Sequence, residues 1–267
     1  MSNRGASAGV RLRAVGVGAG VAWSTWRALA AVTGPEWRRH NYRDRDVNLA
    51  GGPALVLGAV AGAASAGADL RLPVLTAGVG AVGLADDLWG QTHARGLLGH
   101  ARALARGNVT TGVVKLLVST GLALALAPAG GRSSAAGRVR DAAVIAGSAN
   151  LVNLLDLRPG RALKVVAGVG GGLLPGADGD VAAGVLGAAG AIAIPDLGEE
   201  AMIGDCGANA VGAALGWLVV DSLGERGRWV AAALVTAANL ASERVSFTAV
   251  IERQPLLRRL DRLGRRD

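Results

Sequence analysis

Three groups of acidic residues, far apart in the chain, are of a type and setting that can do chemistry. Asp86 and Asp87 stand together in Gly83-Leu-Ala-Asp-Asp-Leu-Trp-Gly90. Asp156 closes Asn150-Leu-Val-Asn153-Leu-Leu-Asp156, and Asp205 stands in Met202-Ile-Gly-Asp-Cys-Gly-Ala-Asn209. Each lies at the edge of an apolar stretch, where an ionisable group is costly to bury and tends to mark function. Carboxylates meeting at one face would bind a hard cation. Mg²⁺ takes one or two carboxylates and leaves the rest of its shell to water and substrate phosphate. Such an ion would offset the repulsion between a diphosphate and the aspartates and polarise the phosphorus under attack. Nearby arginines can hold phosphate oxygens in bidentate fashion. The competing reading is that each aspartate caps a helix or pairs with a loop arginine. For a single aspartate that reading leads; for Asp86, Asp87 and Asp205 on one face, the catalytic one does.

The elements that would position these residues are apolar and long. Of 267 residues 51% are hydrophobic, and 42 more are glycine, above the 45–50% apolar share usual in soluble domains. Such hydrophobicity excludes a disordered chain. The single cysteine, Cys206, excludes an internal disulfide framework and a cysteine-based zinc site, and three histidines are few for a histidine-rich metal centre. A net charge of +8 is of the kind seen in nucleic-acid binders, but one Tyr and one Phe beside six Trp leave few stacking platforms; no nucleic-acid partner is expected. Apolar stretches run at about 14–33, 51–68, 71–86, 112–128, 139–155, 162–175, 179–195, 207–221 and 229–250. The expected fold is all-α: a polytopic integral membrane protein of about nine (8–10) transmembrane helices with cytoplasmic active-site loops. Residues 1–13 form a short N-terminal tail, 14–250 the transmembrane domain and 251–267 a basic amphipathic helix.

Charge orients this arrangement. Loops 34–50, 86–111 and 156–164 and the tail after 250 hold sixteen Arg and Lys, against nine on the alternate side, with Arg27, Lys115 and Arg244 inside the stretches. The positive-inside rule then puts the C-terminus and all the motif aspartates in the cytoplasm and the N-terminus outside, in a multi-pass plasma-membrane protein. Stretches such as Gly58-Ala-Val-Ala-Gly62 would let helices pack closely, although base composition explains the small residues equally well.

In order along the chain, Gly-Leu-Ala-Asp86-Asp87, Asn150-Leu-Val-Asn153-Leu-Leu-Asp156 and Met-Ile-Gly-Asp205-Cys-Gly resemble three signatures of one superfamily. It is the polyprenyl-phosphate N-acetylhexosamine-1-phosphate transferases, which include phospho-N-acetylmuramoyl-pentapeptide transferase. Asn48-Leu-Ala-Gly-Gly52 also looks like the glycine turn that opens the family's second span, so the likeness covers about residues 35–220. It implies an enzyme, a phosphoglycosyl transferase for envelope glycans. Such enzymes use Mg²⁺ to move a sugar-1-phosphate from a UDP-sugar to polyprenyl phosphate in the lipid bilayer, releasing UMP. By the same likeness Asp205 would be the metal ligand, and Asp86 and Asp87 would bind metal or deprotonate the lipid phosphate. Asn153 and Asp156 would line the nucleotide-sugar site, Asp156 counting with the catalytic set. Arg102 would hold phosphate, and Lys115 and Asn209 complete the substrate-binding set. A homodimer is left open.

The chain departs from the family pattern at Leu157-Arg158, where an Asp-Gly is expected, and at Cys206-Gly-Ala, in place of Thr-Gly-Ser. No histidine follows His100, which argues against the pentapeptide substrate. These departures favour the runner-up, a catalytically silent relative that binds lipid phosphate or scaffolds envelope enzymes. Gly78-Val-Gly-Ala-Val-Gly83 mimics a dinucleotide fingerprint but lacks a surrounding strand–helix unit. Lys115 either faces substrate or snorkels to the interface. After Pro255, Leu256, Leu257, Leu260 and Leu263 share one helical face with arginines largely opposite, as in a helix lying on an anionic leaflet.

Overall fold

Each of the nine apolar stretches falls largely on helix. The computed structural model describes residues 3–90, 106–107, 110–128 and 134–266. Within them the helices are α1 (Asn3–Val32), α2 (Gly51–Ser65), α3 (Arg71–Trp89), α4 (Thr111–Leu126), α5 (Ala135–Leu155), α6 (Arg161–Leu173), α7 (Gly179–Leu197), α8 (Gly204–Ser222), α9 (Glu225–Ser242), α10 (Phe247–Arg253) and α11 (Pro255–Arg262). The all-α expectation holds, with one small exception. Arg38–His40 (β1) and Asp46–Asn48 (β2) form an antiparallel hairpin, with Arg39 opposite Val47. Asn48 also bridges in parallel to Ala201, which ties the hairpin to the segment before α8.

Two boundaries differ from expectation for local reasons. Helix α1 begins at Asn3, so most of the expected tail is a continuation of the first helix. The last stretch, 229–250, is not one helix: α9 ends at Ser242, and Ser246 starts α10 anew by accepting the N–H of Ala249 at 3.3 Å. Pro255, which cannot donate within a helix, then sits at the start of α11.

Helix α8 is the axis of the bundle. It packs against α2, α3 and α5, and every residue from Cys206 to Leu218 is buried. A second group, α1, α2 and α7, packs together and meets α8 mainly through α2. Small residues make these approaches: a Cβ on Gly62 of α2 would overlap the backbone of Gly184 on α7, whereas Gly168, Gly171 and Gly172 face open space. The packing reading therefore applies to Gly58 and Gly62 and, among glycines 168–172, to Gly170 alone, whose Cβ would meet the Leu186 side chain.

The interior is largely Ala, Gly and Val, while many of the large apolar side chains point outward. Leu12, Trp23, Leu57, Val74, Leu117, Leu124, Ile194, Trp229, Leu234 and Leu240 are all exposed. These side chains are distributed over α1, α2, α3, α4, α7 and α9. By length and composition, α3 and α7 are long and apolar enough to cross a membrane, while α2 and α4 are apolar but shorter.

The charges gather at two ends. The hairpin, the 156–161 loop and the C-terminal segment meet at the end where α8 begins, through Arg43 to Glu199 and Arg265 to the Pro159 carbonyl. Arg11 with Asp180, and Arg140 with Asp141 and Arg228, lie at the opposite end.

Candidate active site

The first turn of α8 is where the three acidic motifs meet. Like any helix start, it leaves backbone N–H groups without partners inside the helix and carries a partial positive charge. Here other elements supply the acceptors. Asp87, near the end of α3, accepts the N–H of Asp205 with Oδ1 at 2.9 Å and that of Cys206 with Oδ2 at 2.8 Å. Asp156, the residue that ends α5, lies near this turn, close enough for its carboxyl to be influenced by those of Asp87 and Asp205. An aspartate of α3 thus caps α8.

Glycine allows this approach at two positions. A Cβ on Gly83, one turn before Asp87, would overlap the carbonyl oxygen of Asp205. Gly204 has φ +55°, left-handed backbone that favours glycine, and a Cβ there would come within 2.8 Å of the Asp87 carboxylate.

Asp86 and Asp205 are joined differently. The ammonium of Lys115, on α4, lies 2.8 Å from Asp86 Oδ2 and also pairs with Asp205 Oδ2. All three side chains are mostly withdrawn from solvent. Of the two sequence readings of Lys115, snorkelling is therefore not what the side chain does; it turns inward to two carboxylates. Burial, and then the neighbouring carboxylates of Asp196, Asp87 and Asp205, push Asp156 well above the usual carboxylate range.

The remaining site residues are placed unequally. Asn153 lies in the last turn of α5, and its carbonyl accepts the N–H of Asp156 at 3.0 Å. Asn209 is buried inside α8, and its amide donates to the Asp205 carbonyl at 2.7 Å, one turn back. Arg102 lies outside the described residues.

Beside the aspartates is a cleft of about 470 Å³, lined in part by His40, Tyr42, Asp156, Arg158, Glu199 and Thr248. Asp156 lines this cleft and lies beside the α8 start. Over the Tyr42 ring lie the guanidinium groups of Arg158, at 4.2 Å, and of Arg43, at 5.4 Å. Arg39 of the hairpin donates to the carbonyl of Asp87. Tyr42, Arg39 and Arg158 are residues that sequence reasoning missed: it counted Tyr42 among the few aromatics, Arg39 as loop charge and Arg158 as a departure from a motif. The signal available was the Arg-rich 38–45 segment, which could be counted but not placed.

A divalent cation can be tested against these donors. The Asp86 and Asp205 oxygens converge on one ammonium, so they share a cation position, and both are hard donors of the kind Mg²⁺ takes. Among the described residues no group of three or more acidic, His or Cys side chains forms a ready metal cage. The remaining ligands would be water and substrate phosphate.

No family model matches this chain, and no curated protein matches it at a significant level. The chemistry assigned to the site therefore rests on its own geometry and on the motif likeness.

Proposed function

We propose that this chain is a membrane-embedded phosphoglycosyl transferase. It would move a sugar-1-phosphate of the N-acetylhexosamine type from a UDP-sugar to polyprenyl phosphate and release UMP. The observation that carries the reading is the convergence of three sequence-distant acidic motifs, with Lys115, on the first turn of α8. The helices are read as about nine crossings, with the N-terminus outside and the site at the cytoplasmic end. In support, large apolar side chains cover the outside of the bundle and the basic residues divide between its ends.

In this reading the cleft next to Asp156 takes the nucleotide, its size being within the range of small-molecule sites. The guanidinium of Arg158, held over the Tyr42 ring, is placed at the cleft for phosphate. Lys115 neutralises the diphosphate that faces Asp86 and Asp205. Asp86 and Asp205 would hold Mg²⁺, which when bound supplies charge neutralisation at the phosphate under attack. An oxygen of the lipid phosphate attacks the sugar-linked phosphorus in line. The new P–O bond forms as the bond to the bridging oxygen breaks, and UMP leaves with that oxygen. Most of the acceleration comes from positioning and preorganised charge. Asp87, with both oxygens on backbone N–H groups, is a positioning residue in this scheme.

One observation favours the second reading, a silent relative. The Lys115 ammonium already pairs with both carboxylates that a divalent ion would use. The deciding experiment measures UMP release from a panel of UDP-sugars with polyprenyl phosphate and Mg²⁺ in detergent. Release that is abolished by chelation and by Asp205→Asn supports the transferase. A folded protein that releases no UMP from any sugar leaves the silent relative.

A further inference from the structure

Helix α11 is held to the bundle by its polar side. Arg161, the first residue of α6, donates from Nε and Nη2 to Asp261 Oδ1 and Oδ2 at 2.7 and 3.0 Å. Lys164 Nζ donates to the Asp261 carbonyl at 2.6 Å, and just past the helix Arg265 Nε donates to the Pro159 carbonyl at 2.9 Å. The Arg161 and Asp261 side chains are 4% and 9% exposed, so this is a dry, bidentate pair. It fixes the rotation of α11 about its own axis.

That rotation leaves the leucines out. Leu256, Leu257, Leu260 and Leu263 are 69%, 41%, 53% and 68% exposed, and they form one flank of the helix. Arg258, Arg259 and Arg262 are exposed on the others, and Asp261, turned inward, is the helix's one acidic residue. The anchoring partners Arg161 and Pro159 sit where α6 begins, so α11 lies at the level of the helix ends. A row of leucines flanked by arginines at that level is complementary to anionic headgroups over an acyl boundary.

We infer that α11 rests on an anionic lipid surface, its leucines in the acyl boundary and its arginines among the phosphates, with the Arg161–Asp261 pair setting which face points down. The inference rests on the reading that the bundle is embedded in a bilayer. It adds a lipid contact at the residues that also wall the cleft, since Pro159 and Thr248 line it and Arg161 donates to Thr248 at 2.8 Å.

The test uses the full chain in nanodiscs of phosphatidylcholine, with and without phosphatidylglycerol. Nitroxide labels are placed singly by Leu260→Cys, Arg259→Cys and Leu117→Cys; the native Cys206 is buried at 2% exposure and does not compete. Collision with oxygen reports lipid, and collision with a nickel chelate reports water. The expected result is a label at 260 severalfold richer in oxygen collisions than one at 259, with the contrast greater on the anionic lipid and lost on adding Asp261→Asn. Labels at 259 and 260 that both meet nickel freely would overturn the inference, because α11 would then stand in water. Protection of 260 from both reagents would overturn it in favour of a protein partner such as a second copy. The label at 117, on the outer face of α4, separates the two levels: nickel access there fails the bilayer reading itself, whereas lipid at 117 with water at 260 fails α11 alone.

Discussion

Asp87 grips the start of α8 by accepting, with one oxygen each, the backbone N–H groups of Asp205 and Cys206 at 2.9 and 2.8 Å. A carboxylate delivered from α3 thus does the work that a residue's own Ser or Asp does at an ordinary helix start, and it sets where the Asp205 side chain begins. Four expectations follow from this and neighbouring contacts.

Asp87→Ala should remove two charge-assisted hydrogen bonds and leave the N–H groups of a buried helix start without acceptors. A loss of about 2–4 kcal/mol is expected, from roughly 1–3 kcal/mol per unsatisfied buried group with partial rescue by water. Asp87→Asn keeps one acceptor oxygen and should cost about half as much. Thermal unfolding in detergent reads both, and a neutral Asp87→Ala would refute the capping role.

Lys115→Met should act in opposite directions on catalysis and on metal binding. Loss of a charged hydrogen bond to the diphosphate, worth about 1.5–3 kcal/mol, should lower UMP release by roughly 10- to 100-fold. Removing the cation that now pairs with Asp86 and Asp205 should at the same time strengthen Mg²⁺ binding, seen as a larger Mg²⁺-induced rise in Tm. Weaker stabilisation by Mg²⁺ in the variant would contradict a shared cation position.

Gly83→Ala should cost about 1–3 kcal/mol, the usual range for overpacking, because its Cβ would overlap the Asp205 carbonyl across the α3–α8 contact. Gly121→Ala, on α4 with nothing within 4 Å, should be neutral or stabilise by up to about 1 kcal/mol through helix propensity. Equal effects at the two positions would mean that α3 and α8 are not held this closely.

Against the penalty of burial, Arg161 and then Arg265 and Lys164 hold the Asp261 carboxyl below its usual range. A depressed folded-state value means that this contact is fully present above the unfolded value of about 3.9 and is lost as pH falls through the lower folded one. Attachment of α11 should therefore be constant from about pH 5 to 8 and weaken below about pH 4. Because α11 can detach without the bundle unfolding, the loss should appear as faster amide exchange over 255–262, with little change in Tm. Asp261→Asn should give fast exchange at neutral pH and flatten the acid dependence.

The sequence by itself determined the helices. Apolar runs bounded by charge and turn residues predict elements at nine positions, and a helix satisfies its backbone locally whatever surrounds it. The acidic motifs were also legible, because a carboxylate at the edge of an apolar run is conspicuous by its cost. Less legible were the short elements. The 229–250 stretch hides a break at Ser246, and the Arg38–Asn48 hairpin alternates no apolar residues; its tie to the bundle comes from Asn48 meeting Ala201, far along the chain.

What only the tertiary structure decided is which polar group meets which. Asp86 and Asp87 are neighbours with the same side chain, yet one turns to Lys115 and the other to the backbone of α8, because successive helical residues point about 100° apart toward different partners. Lys115 reads in sequence as a stray charge in an apolar run. Arg158 reads as a broken motif until the fold stacks it on Tyr42. Sequence spacing specifies the face on which a side chain stands, and long-range packing alone specifies what stands opposite it.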